Sequence, residues 1–83
     1  MWKAEIRITL KEGVVDPQGK AVEKTLGELG YSQVEQVQIG KYVELVVNTP
    51  QRAEADRQVD EICRKVLINP VLEEYTYQLV EVL

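Results

Sequence analysis

The chain has 83 residues, of which 45% are hydrophobic and 29% charged, a composition typical of a small folded domain and not of a disordered segment. Its 14 acidic and 10 basic residues give a formal charge of −4, so no basic stripe is available for nucleic-acid phosphates or anionic lipids. With one cysteine and no histidine, neither a disulfide framework nor a nitrogen–sulfur metal site can be assembled within one chain. We expect one domain, residues 1–83, that binds no nucleic acid and no membrane.

The first element is predicted to be a half-buried strand. Apolar and polar residues alternate from Trp2 to Leu10, which is the period of a strand with one face on a core. Asp16-Pro17 then predicts a helix start, because Asp caps the first amides and Pro suits the first helical position. Gly30 is placed to adopt the left-handed conformation that ends this helix. Its apolar positions are Ala21, Val22, Leu26 and Leu29.

The middle of the chain predicts a hairpin and a second helix. The extended stretch Val34 to Ile39 and the strongly strand-like Tyr42 to Val47 are separated by Gly40-Lys41, as in two strands joined by a tight turn. Thr49-Pro50 repeats the capping pattern and predicts a second helix that stops before Asn69-Pro70. One face of this helix carries Ala55, Val59, Ile62, Cys63, Val66 and Leu67.

The last segment, Val71 to Leu83, predicts a long final strand. Its apolar residues alternate, but their phase changes towards the end, which indicates a bulge or bend. These residues are Tyr75, Tyr77 and Leu79, followed by Val80 and Val82. The order βαββαβ predicts an α+β two-layer sandwich resembling the ferredoxin-like fold, with both helices on one face of the sheet.

The other face of this sheet is expected to be bare and to make contacts. Its first strand contributes polar residues, but later strands add apolar ones, and an apolar cluster on one sheet face marks a contact surface. A domain of this size also gains stability by self-association. We expect self-association through this face or the last strand; the alternative is that the apolar residues are half-buried rim positions. The residues concerned are Tyr42, Val46, Val80 and Val82.

No set of residues predicts catalysis or a cofactor site. The loop Lys11 to Asp16 lacks the Cys-x-x-Cys of a metal carrier, and an acidic chain without Phe makes a poor RNA-recognition domain. Gly40-Lys41 lacks the other residues of a phosphate loop. Adjacent carboxylates such as Glu73-Glu74 point in different directions and form no acid/base pair. We expect no catalytic, cofactor-binding or metal-binding residue in this chain.

The sequence also carries an expectation about the cellular compartment. The single cysteine, Cys63, lies among apolar residues of the second predicted helix, where a free thiol behaves as a small hydrophobe and suits a reducing environment. The charged, alternating start has no apolar core of a signal peptide, and no apolar run matches the length of a membrane span. We expect a cytoplasmic protein.

Three stretches resemble the PurS family, the small subunits of phosphoribosylformylglycinamidine synthase. They are Leu10 to Gly19 (LKEGVVDPQG), Val37 to Lys41 (VQIGK) and Leu67 to Val71 (LINPV), and they occur in the family's order. Together with the alternating first strand, the resemblance covers almost the whole chain.

The resemblance implies a homo-oligomer, a dimer or a tetramer, that associates with the large ATP-dependent synthetase subunit PurL and the glutaminase subunit PurQ. The assembled ligase makes formylglycinamidine ribonucleotide from formylglycinamide ribonucleotide, ATP and glutamine in purine biosynthesis. ATP and Mg²⁺ are then expected on the large partner. This chain is expected to be a required, non-catalytic adaptor that helps the partners assemble and helps ammonia pass between them.

Two points stay open at the level of sequence. The loop Gly13, Val14, Val15 and Asp16 is expected to contact a partner, or alternatively to serve only as a turn and helix cap. A regulatory ligand-binding module is the competing function, since similar βαββαβ domains hold amino acids at dimer interfaces. Tight binding of an amino acid or nucleotide by the isolated protein favours the module, whereas co-purification with a synthetase and a glutaminase favours the adaptor.

Overall fold

The sequence folds into three antiparallel strands and two helices in the computed structural model, which describes residues 1–83. In chain order the elements are β1 (Trp2–Leu10), α1 (Pro17–Glu28), β2 (Lys41–Val47), α2 (Arg52–Ile62) with a π-helical extension (Cys63–Leu67), and β3 (Glu73–Glu81). β1 is the central strand, in the order β2-β1-β3. The α+β class is confirmed. Neither helix has the length and apolar character needed to cross a membrane.

The central strand β1 sets the register of the whole sheet. Trp2 lies opposite Val47 of β2 and Glu81 of β3, and the pairing continues without interruption along both neighbours. The predicted bulge or bend of the last strand is therefore wrong. Successive residues of a regular strand point to opposite faces, so Val80 simply lies on the other face from Leu79.

The core lies between β1 and α2. Alternate residues of β1 point towards α2, and the buried residues of α2 recur every fourth position, on one side of the helix. The fully buried side chains of these elements are Ala4, Ile6, Ile8, Ala55, Val59 and Cys63, and Val47 of β2 completes the cluster. Only 8 of the 83 residues are buried, so one protomer has a small core.

Two tyrosines of β3 fix α2 above the sheet. The hydroxyl of Tyr75 donates a hydrogen bond to the Asp60 carboxylate, and that of Tyr77 donates to the Asp56 carboxylate at 2.7 Å. The Tyr75 bond, with a smaller contribution from Arg64, lowers the pKa of Asp60. The same bond raises the pKa of Tyr75, while burial is the main cause that raises the pKa of Tyr77. Near neutral pH the contact of Tyr75 with Asp60 therefore joins a neutral hydroxyl to a carboxylate.

The second helix departs from its prediction at both ends. It begins at Arg52, two residues after the predicted cap at Thr49-Pro50. At the other end the amide of Ile68 donates to the carbonyl of Cys63, five residues back, so the last turn is wider than an α-helical turn. The predicted place of Val66 on the apolar face is wrong, because this turn leaves it 74% exposed.

The predicted ends of the first helix are confirmed. Asp16 is the N-cap, and its carboxylate accepts a hydrogen bond from the amide of Gly19 at 2.9 Å. Pro17 is the first helical residue. After the last turn, Gly30 has a φ of 97°, the left-handed conformation that terminates many helices.

Two expectations for the surroundings of α1 are wrong. The stretch Val34 to Ile39 is not a strand and does not pair with β2; it returns beside α1. α1 itself has no extensive contact with the sheet or with α2, so within one protomer α2 alone covers the sheet. The physical reason is that the backbone of the returning segment is bound to the start of α1 and not to the edge of β2.

The position of the core can be tested by removing one methylene group. Ile6 is fully buried, so Ile6→Val should lower the free energy of unfolding by about 1 kcal/mol, measured by urea denaturation at constant protein concentration. The control is Val71→Ala at a site that is 76% exposed, where we expect a change below about 0.5 kcal/mol. Equal losses for the two variants would contradict a core between β1 and α2.

Candidate functional site

The face of the sheet opposite α2 carries mixed side chains in regular rows. No helix covers this face, and the strand register defines its three rows, each running from β2 through β1 to β3. The rows are Val46, Lys3 and Val80; Glu44, Glu5 and Gln78; and Tyr42, Arg7 and Thr76. We call this surface the bare face. Val46, Val80 and Tyr42 are the apolar or aromatic residues of these rows and all lie on the outer strands, while β1 contributes only polar residues.

The four residues predicted for self-association form two separate groups. Val46 and Val80 share one row of the bare face and are 52% and 36% exposed, and Val82 follows directly after β3, where its amide donates to the carbonyl of Met1. Tyr42 lies two rows away, where the guanidinium carbon of Arg7 is 6.0 Å from the centre of its ring. The structure therefore brings three of the four residues to one apolar corner and places Tyr42 apart from it.

A row of charge separates these two groups. Glu5 and Glu44 lie directly opposite each other on neighbouring strands, an unfavourable pairing of like charges. The ammonium group of Lys3 lies 3.8 Å from a carboxylate oxygen of each, which offsets the repulsion. Burial, followed by the charge of Glu44, raises the pKa of Tyr42. The middle of the bare face is thus suited to polar contacts, and its corner to apolar ones.

The loop predicted to contact a partner lines an open groove of about 680 Å³. Gly13, with a φ of 86°, turns the chain after β1, and the side chain of Val15 is 69% exposed while that of Val14 is half-buried. Residues 36–38 form part of the opposite wall. The loop is accessible to another protein, except at Asp16, whose carboxylate is already bound.

The carboxylate of Asp16 binds both ends of the segment that contains α1 and the returning chain. One oxygen accepts the amide of Gly19 and the other accepts the amide of Ile39, each at 2.9 Å. These two backbone bonds, with Gly19 the larger cause, lower the pKa of Asp16 below its ordinary value of 3.8. We call residues 17–39 the arm and this carboxylate its latch. The sequence indicated Asp16 as the helix cap, but no local signal indicated its bond to Ile39.

Gly19 allows the returning chain to approach the helix and was missed as a structural requirement. A Cβ atom at this position would lie 2.3 Å from the carbonyl oxygen of Val37 and 2.7 Å from the Asp16 carboxylate. Only glycine fits without moving the backbone. The available signal was a glycine inside the first turn of a helix, where most other residues have a higher helix propensity.

Two glycines of α1 should respond oppositely to alanine. Gly19→Ala should displace the returning segment and raise the hydrogen-exchange rate of the Ile39 amide, since its Cβ has no room. Gly27→Ala should leave that rate unchanged or lower it, because no atom lies within 4 Å of its Cβ and alanine favours the helix by up to about 1 kcal/mol. Similar exchange rates in both variants would contradict the close approach at Gly19.

The latch should open only in acid. A carboxylate with a lowered pKa contributes stability that is fully present above its ordinary pKa and is lost as the pH falls through the lowered value. The amide proton shift of Ile39, followed by NMR, should therefore titrate with an apparent pKa below 3.8. The same amide in Asp16→Ala should show no such step. A titration of the native protein at or above 3.8 would contradict the two-bond latch.

No three His, Cys, Asp or Glu residues lie close enough together to hold a metal ion. Cys63 is buried, and burial raises the pKa of its thiol, which disfavours the reactive thiolate. The main exposed features of the protomer are the bare face, the groove and the arm. Together with the fold they define a small α+β protein of ferredoxin-like order.

Comparison with known proteins gives the family. The model of the family PurS, phosphoribosylformylglycinamidine (FGAM) synthase, matches residues 3–81. The phosphoribosylformylglycinamidine synthase subunit PurS of Bacillus subtilis is 44% identical over 82 residues, which cover 99% of this chain and 96% of that protein. The chain belongs to the PurS family, whose members are subunits of phosphoribosylformylglycinamidine synthase in purine biosynthesis.

Solved structures agree with this assignment. A crystal structure of Bacillus subtilis PurS matches with a TM-score of 0.86 at 43% identity, covering 98% of this chain and 100% of that chain. A PurLQS structure from Thermotoga maritima contains a chain that matches with a TM-score of 0.87 at 30% identity, covering 95% of this chain and 96% of that chain. The backbone of the described protomer, including the arm, is therefore shared with other members of the family.

Proposed function

We propose that this chain is a non-catalytic adaptor of a phosphoribosylformylglycinamidine synthase complex, associating with itself and with a PurL synthetase and a PurQ glutaminase. The observation that carries the proposal is the match over 95% of the chain to a subunit of the PurLQS structure from Thermotoga maritima. The absence of any clustered reactive groups in the described protomer supports a role in assembly. The exposed loop and bare face are the surfaces available for partners.

The proposed division of labour assigns the chemistry to the larger subunits. ATP and Mg²⁺ are bound by the synthetase and not by this chain, which offers an open groove and no enclosed pocket among its larger depressions. An open, solvated groove binds small ligands less well than a concave apolar pocket. The complex works in the cytoplasm, where purine synthesis takes place, and this location follows from the proposed function.

Co-purification tests the adaptor role. The tagged chain, produced with the PurL and PurQ of the same organism, should retain both on an affinity column, and omission of the chain should lower the glutamine-dependent synthase activity of the mixture. The result against the proposal is recovery of the chain alone together with full activity of PurL and PurQ without it. Calorimetry of the isolated chain with amino acids and nucleotides is the parallel measurement: tight binding there would favour the regulatory module.

The apolar corner of the bare face is the surface that we propose for self-association. Val46→Asp places a charge at its exposed position beside Val80 and should raise the dissociation constant at least about tenfold, because the carboxylate would lose water in the contact. Sedimentation velocity measures this constant. Val71→Asp is the control, since Val71 is exposed but lies outside the sheet. An unchanged sedimentation profile for Val46→Asp would remove the corner from the contact.

A further inference from the structure

The turn that leads into β3 is held by hydrogen bonds within itself. The carbonyl of Asn69 accepts the amides of Leu72 at 3.1 Å and Glu73 at 2.8 Å. Its side-chain oxygen accepts the amide of Val71 at 3.0 Å, as asparagine side chains do in many turns. The Glu73 carboxylate accepts the amide of Asn69 at 2.8 Å in return. We call residues 69–72 the tip; its bonds give it one defined conformation on the surface of the protomer.

Two lysines from other parts of the chain hold the tip from outside. Lys11, directly after β1, donates its backbone amide to the carbonyl of Leu72 at 2.9 Å and its ammonium group to that of Pro70 at 2.6 Å. The ammonium group of Lys41, the first residue of β2, lies 3.3 Å from the Glu73 carboxylate. The two lysines and the tip come from the three stretches of sequence that resemble the PurS family. The tip is therefore fixed at one end of the sheet by contacts with all three strands.

This fixed turn presents apolar side chains to solvent. Val71 is 76% exposed and Leu72 43% exposed, and Val66 in the preceding π-helical turn is 74% exposed. None of the three belongs to the core of the protomer. Single exposed apolar residues are common on protein surfaces, but these are held by a turn that has already lost its conformational freedom. Such a turn binds a partner at a smaller cost in entropy than a flexible loop does.

The charges around the tip restrict the chemistry of its partner. The tip itself contains no charged residue. The flanking Glu73 is ion-paired with Lys41, and the ammonium group of Lys11 is bound to the tip. An uncharged apolar projection is complementary to an uncharged apolar depression, because a charge in that contact would lose water without gaining an opposite charge.

This chain does not itself supply such a depression. Hydrophobic residues are a minority in the lining of each of its three larger grooves. The surface that complements the tip is therefore expected on a different polypeptide and not on a second copy of the chain.

We propose that the tip is a docking element, which inserts Val71 and Leu72 into an uncharged apolar depression on a larger subunit of the synthase complex. This assignment rests on the adaptor function proposed above and names one contact of it. Val71 and Leu72 make the contact, whereas Asn69 and Lys11 are positioning residues that hold the turn in the conformation in which it binds.

Charges of either sign at residue 71 test the chemistry of the contact. Val71→Asp and Val71→Lys should each raise the dissociation constant of the full chain for a mixture of PurL and PurQ at least about tenfold, since an apolar depression leaves both charges unpaired. Biolayer interferometry on the immobilised, tagged chain measures this constant. Gln33→Asp and Gln33→Lys place the same charges at another exposed turn, after α1, and should change it less than about twofold.

The outcomes separate the tip assignment from the adaptor function. If the native chain does not bind PurL and PurQ, the adaptor function fails and the tip assignment fails with it. If the native chain binds and both Val71 variants bind equally well, only the tip assignment is overturned. Weaker binding with one charge and stronger binding with the other would show a charged partner surface and contradict an apolar depression. Loss of self-association in the Val71 variants, measured by sedimentation velocity, would show that a second copy occupies the tip and would also overturn the assignment.

Asn69 tests whether the fixed conformation of the turn contributes to binding. Asn69→Ala removes the acceptor of the Val71 amide and leaves both apolar side chains in place. We expect faster hydrogen exchange at the Val71 amide and a dissociation constant for PurL and PurQ raised at least about threefold. Asn69→Ser keeps an oxygen that accepts this amide more weakly, and should restore part of both losses. Native values of both quantities in Asn69→Ala would show that Asn69 does not position the tip.

Discussion

The packing of α2 on β1 is the contact on which the rest of the protomer depends. β1 is paired on both sides, so its backbone polar groups are satisfied and its alternate side chains are free to meet one helix. Ile6 and Ile8 fill the space below Val59 and Cys63. The outer strands are fixed by pairing with β1, and β3 is fixed also by its two tyrosine hydroxyls. Every other element is attached to this unit.

The packing of one strand on one helix buries little apolar surface. This small buried area limits the stability of a single protomer. The charged pairs on the outer side of α2, such as Arg57 with Glu54 and Glu61, are exposed and add little stability. Stability must come from additional apolar contacts, and the chain presents such residues on the arm and at the corner of the bare face. The corner is one of the surfaces that we propose for association with other polypeptides.

The sequence correctly predicted the helix ends and strand faces, which depend on neighbouring residues. Asp16 and Gly30 marked the ends of α1 because capping and left-handed termination depend on adjacent residues. Alternation placed Val46 and Val80 on the same face because the period of a strand is two. The π-helical turn that exposes Val66 has no comparable local pattern, since it depends on where the chain must enter β3.

The hairpin prediction was wrong because the backbone amide of Ile39 binds the Asp16 carboxylate and not a neighbouring strand. The stretch Val34 to Ile39 was predicted as a strand because Val34, Val37 and Ile39 lie among polar residues, but such a pattern also fits an extended segment beside a helix. Pairing at the edge of β2 would supply backbone acceptors to this stretch. The second oxygen of Asp16 supplies one to Ile39, after the first has capped α1.

The hydrogen bond from the Ile39 amide to Asp16 goes together with three other features of the protomer. With the amide of Ile39 bound to Asp16, the segment stays with the helix, the close approach at Gly19 is satisfied, and β2 remains an open edge. The helix then leaves the sheet that it would cover in a closed ferredoxin-like unit. A carboxylate can hold both amides because it has two acceptor oxygens and no donor. The two bonds of Asp16 thus hold the returning segment beside α1, in a protomer whose sheet is covered by α2 alone.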